Sequence, residues 1–485
     1  MHFLEVKSSR AVYRATLRML YCAGLALLSA AASLAQSAAG TSKPGAPDIA
    51  LFFQAVRQDE AQAKRGLEQI AAVWKDSYSS MLVDLLSVAR VPPPPSDEEG
   101  HDSLVVHPRA RVHQRLIGFL EKQTGQRFGN DLKRWRKWMW KLPYEPHPDY
   151  ARFKGELYAN VDPKMRAFFS VGTRSLIRLD EIDWGGVRVN GIPPLDHPKT
   201  IPAGEARYLK DDHIVFGIVV NGEARAYPKR ILAWHELARD RVGGLELTIV
   251  YCTLCGAVIP YESVLGGKLL TLGTSGLLYR SNKLMFDEET LSLWSTLEGK
   301  PVVGKLAGSD LRLRAHPVVT TTWGEWKAQH PETTVLALDT GFKRDYSEGA
   351  AYREYFATDR LMFEVGETDP RLKNKAEVLV FRLSPAGNGT GEQQAVAIAA
   401  DFLRKNPLYH LEVAGHELVV ITSPQGANRV YNAGPVRLVR YKAADQLEDA
   451  EGRSWKLTEE ALVSRQDPTA RLPRVPAQRA FWFGW

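Results

Sequence analysis

Cys252 and Cys255 stand three apart in VYCTLCGAVIPYE, Val250 to Glu262, and a C-x-x-C pair supports three kinds of chemistry. It can exchange disulfides, supply two ligands to a metal, or close a static disulfide. The pair follows a β-branched run, LELTIVY (245–251), and precedes Gly256. That pattern predicts a strand tip with a tight return. A thioredoxin-type pair instead opens a helix, whose N-terminus favours the thiolate, and here Pro260 interrupts any helix. Such a knuckle offers two sulfurs, while a closed tetrahedral zinc site needs four ligands. His235, in AWHELARD just before the cysteine strand, is the expected third ligand, with Glu236 beside it and His213 a weaker candidate. The competing role for His235 is a core histidine bonded to backbone. Thiolate plus imidazole suits zinc or copper. Metal binding through Cys252, Cys255 and His235 is the leading expectation. Thiol–disulfide redox, and a non-catalytic binding module braced by a structural disulfide, stay open beside it.

Other polar residues cluster in GTSGLLYRSN (273–282) and just after it. Ser275 lies between two glycines and is a candidate nucleophile or anion-binding turn. Its spacing is not that of the G-x-S-x-G elbow, and a Gly-rich strand turn is the plainer role. Arg280, Asn282 and Asp287 are candidates for a polar pocket, with an Arg280–Asp287 ion pair as the structural alternative. The candidate catalytic set is therefore Ser275, Arg280, Asp287 and Glu236. No nucleotide-cofactor motif is present.

These residues need a frame to position them. Residues 1–35 have the form of a secretory leader: Lys7, Arg10, Arg14 and Arg18, then an apolar run from Met19 to Ala35 ending in Ser33-Leu34-Ala35. The expected location is periplasmic or secreted, with no stable membrane span after leader cleavage. Only two of the three cysteines then remain, so disulfides do not staple the fold. The net charge of +7, less four leader bases and one acid, leaves +4 and does not argue for nucleic acid. The expected partner is an unidentified small molecule or protein. Residues 36–48, rich in Ala, Ser, Gly and Pro, form a flexible lead-in. From 49 to 170 apolar residues recur at helical spacing, broken by VPPPPSDEEG (91–100), and predict an all-helical domain. Trp135 and Trp138 share one face of it, as core. From about 175 to 485 strand-like stretches take over, and Asn221-Gly222 marks a hairpin. The fold class is α+β: a helical domain followed by a larger β-rich one. Trp323 and Trp326, behind a Thr321 or Thr322 cap, are read as core, and the terminal FWFGW is read as packing on the β core or the pocket.

The β-rich half contains an internal echo. GLELTIVYCTLCGAV from Gly244 resembles GHELVVITSPQGANRV from Gly415, and AYPKRIL (226–232) falls opposite AIAADFL (397–403). This suggests a duplication into lobes 175–340 and 341–485. Ser423 and Gly426 replace the cysteines in the second copy, so the pair is not needed to build the unit.

Several segments together resemble the bacterial family known as DUF3179, a domain of unknown function. They are DEIDWGGVRVNGIPPLDHPK (180–199), GEARAYPKRILAWHE (222–236), TIVYCTLCGAVIPYE (248–262), GTSGLLYRSNKLMFDEETLSLWS (273–295) and TTWGEWKAQHPETTVL (321–336), with TGFKRDY (340–346) and RAFWFGW (479–485) further on. The resemblance covers well over half of the mature chain. It implies a fold and a set of recurring polar residues, and no established activity. The chain departs from the pattern at Thr253, where relatives usually carry Pro, at Thr296, often Gln, and at Arg239-Asp240, usually Asn-Asp.

Overall fold

The computed structural model describes residues 46–88, 108–170, 172–387, 392–443 and 445–485. The expected leader, most of the lead-in and the proline-rich loop lie outside the described residues. Among the described residues six α-helices come first: Ile49–Ala55, Glu60–Ala72, Ser79–Val88, Pro108–Thr124, Leu132–Met139 and Tyr150–Ala159. Three start on an aspartate whose carboxylate accepts a backbone N–H of the first turn, at Asp48, Asp59 and Asp131. None of the described helices is long and apolar enough to cross a membrane.

The helices do not close a core of their own. Phe52, Leu82, Leu116, Trp135 and Phe153 pack in one cluster with Leu277, Leu284, Phe286 and Val303, which belong to a five-stranded antiparallel sheet. That sheet runs in the order Ile182–Trp184, Leu272–Tyr279, Asn282–Asp287, Leu293–Ser295, Pro301–Val303. The junction also carries buried polar contacts. Lys154 donates to Asp84 Oδ2 and to the Ile182 carbonyl, both at 2.9 Å, and Tyr150 donates to the same carboxylate at 2.6 Å. The buried Asp84 carboxylate is thus paired with both the Lys154 ammonium and the Tyr150 hydroxyl, as burial requires. The helical region thus braces this sheet, which in turn packs through Leu272, Met285 and Trp294 on the separate four-stranded sheet that carries the cysteines.

The β-rich part repeats itself. The first unit is a hairpin (Ile214–Val220, Glu223–Pro228), a short helix (Lys229–His235), a second hairpin (Leu237–Val242, Leu245–Cys252) and a third strand (Ala257–Glu262). The second unit has the same order: Glu377–Leu383, Gln394–Ala399, helix Ala400–Lys405, Leu408–Val413, His416–Thr422 and Asn428–Asn432. Registers agree as well. Leu237 faces Val250 in one, and Leu408 faces Ile421 in the other, each displaced by 171 positions. A late strand then returns antiparallel to the first strand of its unit, Val319–Thr322 on Ile214–Val220 and Gln478–Phe481 on Glu377–Leu383. In the meanders between, Asp287 accepts from the Trp294 indole at 2.8 Å and Asp449 from the Trp455 indole at 2.9 Å. Residues 341–376 join the repeats and belong to neither; they lie over the first one.

Local chemistry explains the turns. Asn221 and Gly222 both have positive φ, as a two-residue hairpin turn demands. Trp323 and Trp326 are core residues, and Thr322 caps their helix. Trp326 lies so close over Gly217 that a Cβ there would fall 2.2 Å from its ring. Gly217→Ala is therefore expected to cost about 2 kcal/mol through overpacking, read as a lower urea midpoint with an unchanged slope.

Candidate functional site

The cysteines occupy a hairpin tip. Leu245–Cys252 pairs with Ala257–Glu262, Cys252 faces Ala257, and Gly256 makes the return at φ 65°. The expectation of a strand knuckle rather than a helix start is met. Both cysteines are free thiols, Cys252 1% and Cys255 0% exposed. The Cys255 amide donates to Cys252 Sγ at 3.4 Å. In the second repeat Ser423 Oγ likewise accepts a loop amide, that of Ala427 at 3.0 Å, one residue further along the loop.

A small cleft, partly open to solvent, reaches Cys252. Its polar wall is Glu236, Thr253, Lys283 and Tyr352. Glu236 ends its helix in the left-handed region at φ 57°, which turns its carboxylate toward the knuckle. One carboxylate oxygen accepts from Thr253 at 2.6 Å and from Tyr352 at 3.1 Å. Lys283 is buried; its ammonium donates to the Glu236 carbonyl at 2.7 Å and the Tyr251 carbonyl at 3.1 Å, and stands 3.5 Å from the other Glu236 carboxylate oxygen.

These neighbours split the two thiols. Burial pushes the Cys252 thiol up, but a hydrogen bond from Cys255 and the charge of Lys283 outweigh it, and the net direction is down. Burial and the adjoining Cys252 sulfur push Cys255 well above the usual thiol range. The result is one sulfur inclined to be a thiolate on the cleft and one that keeps its proton behind it.

The packing around the knuckle itself comes from far along the chain. Tyr355 donates to the Leu254 carbonyl at 2.7 Å, and the Phe481 amide donates to the Cys255 carbonyl at 2.7 Å. Phe481, Trp482, Phe483 and Trp485 pack around the knuckle. Gly484 lies where a Cβ would approach the Cys255 Cβ to 2.7 Å. The terminal aromatic run lies on the β core and beside the cysteine loop, as expected.

The structure gathers only some of the expected site residues. Glu236 joins Cys252 in the cleft. His235 does not turn to the sulfurs: its Nδ1 meets the Pro193 carbonyl at 2.9 Å and its Nε2 the Tyr346 hydroxyl at 2.5 Å. Both ring nitrogens are taken, which is the core-histidine role. His213 accepts the Lys210 amide at 3.1 Å. Among the described residues no group of three or more His, Cys, Asp or Glu is placed to hold a metal. Ser275 is fully buried, donates to the Leu284 carbonyl at 2.6 Å and accepts the Leu277 amide at 3.0 Å, stitching a bulge between Thr274 and Leu278. Arg280 pairs with Glu181, not with Asp287. Asp287 accepts from Thr290 and Trp294 and holds a turn. The expected Arg280–Asp287 pair is corrected on that ground: positive φ at Arg280 and Ser281 carries the arginine out to Glu181.

Lys283 and Tyr352 were missed. A lysine inside the apolar run NKLMFD was the available signal for the first; Tyr352 carries no signal in its neighbours. Replacing Lys283 and Glu236 together (Lys283→Met with Glu236→Gln) removes the cation without stranding the carboxylate. The lowered Cys252 pKa then rises, so the midpoint of iodoacetamide alkylation moves to higher pH; mass-mapped alkylation across a pH series reads it.

A family model described as a protein of unknown function, DUF3179, matches residues 189–485. Neither a curated protein nor a solved structure matches the chain.

Proposed function

This chain belongs to the DUF3179 family, and we propose that its site is a thiol–disulfide exchange centre with Cys252 as the attacking sulfur and Cys255 as the resolving one. The observation that carries this reading is the asymmetry of the pair: Cys252 lines the cleft near Lys283, and Cys255 sits behind it. The Cys252 thiolate attacks one sulfur of a substrate disulfide. That S–S bond breaks, a mixed disulfide forms, and the first substrate thiolate leaves. It takes the proton that Cys255 gives up. Cys255 then attacks Cys252 Sγ, the intramolecular disulfide forms, and the second substrate sulfur leaves as a thiolate that takes a proton from solvent, matching the proton Cys252 gave to solvent on becoming a thiolate. Two electrons and two protons pass to the substrate, and a thiol or dithiol donor restores the pair.

Lys283 and Glu236 are positioning residues in this scheme. The ammonium favours the thiolate, and the carboxylate fixes the lysine, Thr253 and Tyr352. A zinc or copper reading has the two sulfurs as its side-chain donors, with His235 held by Pro193 and Tyr346.

The test is a free-thiol count and metal content on the purified protein, followed by equilibration in thiol redox buffers. The expected result is two thiols that oxidise reversibly to one disulfide, with no stoichiometric metal. Cys252→Ser should lower exchange at least about a hundredfold, and Cys255→Ser should accumulate the mixed disulfide. One metal per chain, lost in both variants, would overturn the exchange reading in favour of metal binding.

A further inference from the structure

We propose, resting on the exchange reading above, that the substrate of the Cys252–Cys255 pair is a small, uncharged, largely apolar disulfide and not a disulfide of a folded protein. Access is the first reason. Both sulfurs are buried, and Cys252 lies on the wall of a narrow, partly open cleft. A protein disulfide carries backbone on both sides of its S–S bond and needs its attacker near the surface.

The cover over the cleft is firmly seated. Residues 341–376 are tied down at Tyr346 to His235, Tyr352 to Glu236 and Tyr355 to the Leu254 carbonyl. The same stretch is held again by the Trp482 indole on the Asp369 carbonyl at 3.0 Å. Admitting a protein would mean breaking several buried hydrogen bonds together. On the opposite wall Gly276 presses against the Val187 carbonyl, where a Cβ would fall at 2.5 Å, so the cleft has little slack.

Charge is the second reason. Glu236 and Lys283 are the only charged groups on the wall. They face each other: the ammonium donates to the Glu236 and Tyr251 carbonyls and stands 3.5 Å from the Glu236 carboxylate. A carboxylate or ammonium on the substrate would be desolvated without a partner. Beside the neutral polar groups of Thr253, Thr274 and Tyr352, the wall is apolar, with Val187, Leu277, Leu278, Met362 and Phe363.

The experiment oxidises the fully reduced chain with three probes at equal disulfide concentration: bis(2-hydroxyethyl) disulfide, glutathione disulfide and disulfide-bonded ribonuclease. Loss of the two thiols is followed by quenched alkylation. The neutral small disulfide should react at least tenfold faster than glutathione disulfide, and ribonuclease should not react measurably. Met362→Trp, which narrows the mouth, should slow the small probe and leave the rate of the urea-unfolded chain unchanged. Reaction with ribonuclease as fast as with the small probe would overturn the substrate class and leave the exchange reading standing. Equal rates for the neutral and charged small disulfides would overturn the charge argument. Thiols that react with none of the probes in the native chain, yet react once it is unfolded in urea, would overturn the exchange reading itself, and this inference with it.

Discussion

A lysine ammonium held away from water organises the centre of this molecule. Burying such a charge is tolerable only when its donors are all satisfied and a counter-charge is near. Lys283 has two carbonyl acceptors and the Glu236 carboxylate 3.5 Å away, and these contacts link three chain segments. Its own strand belongs to the sheet that the helical region backs, its carbonyl partners lie at the helix end and beside Cys252, and its counter-ion is Glu236. Glu236 in turn holds Thr253, inside the knuckle, and Tyr352, on the covering segment. Removing one member would leave the other a buried unpaired charge, at about 3–5 kcal/mol. The left-handed turn at Glu236 is part of the same arrangement, because it brings both the carbonyl and the carboxylate of one residue toward one ammonium.

The parts legible in sequence are those governed by local pattern. The hairpin at Asn221-Gly222, the knuckle at Cys252–Cys255, the cap at Thr322 and the helical periodicity before residue 170 each depend on a few adjacent residues, and each is present. The helix Tyr150–Ala159 was not singled out, since its aromatic and charged residues blur the apolar stripe. Site membership was harder. His235 and Glu236 are neighbours in the chain, yet the change from helix to left-handed backbone between them sends one side chain to Pro193 and Tyr346 and the other to the cleft. Ser275, Arg280 and Asp287 have the right chemical types, and each spends its polar atoms on local structure. Which acceptor a buried donor finds is decided by tertiary contacts, and no spacing rule reports those.

The internal echo proved the more informative reading. The shared element order and register extend it to strand pairing, and the paired Asp287–Trp294 and Asp449–Trp455 contacts carry it into the meanders. The comparison separates what the knuckle needs for folding from what it holds in addition. A serine hydroxyl accepts a loop amide in one copy and a cysteine sulfur does so in the other. Both loops turn on a glycine of positive φ, Gly256 and Gly426. Thiols are therefore an addition to a frame that closes without them.

The strand that closes over the knuckle comes from the far end of the described chain. A polypeptide is made from its N-terminus, so the hairpin carrying Cys252 and Cys255 exists well before Gln478–Phe481 can pair beside it. Contacts between residues this distant in sequence also form late in folding. For that interval both sulfurs stand open to any oxidant or stray thiol, and the aromatic run that follows has nothing to pack on. Maturation of this protein is thus a race between sealing the hairpin and chemical damage to it. The two thiols have to stay reduced until that strand is seated.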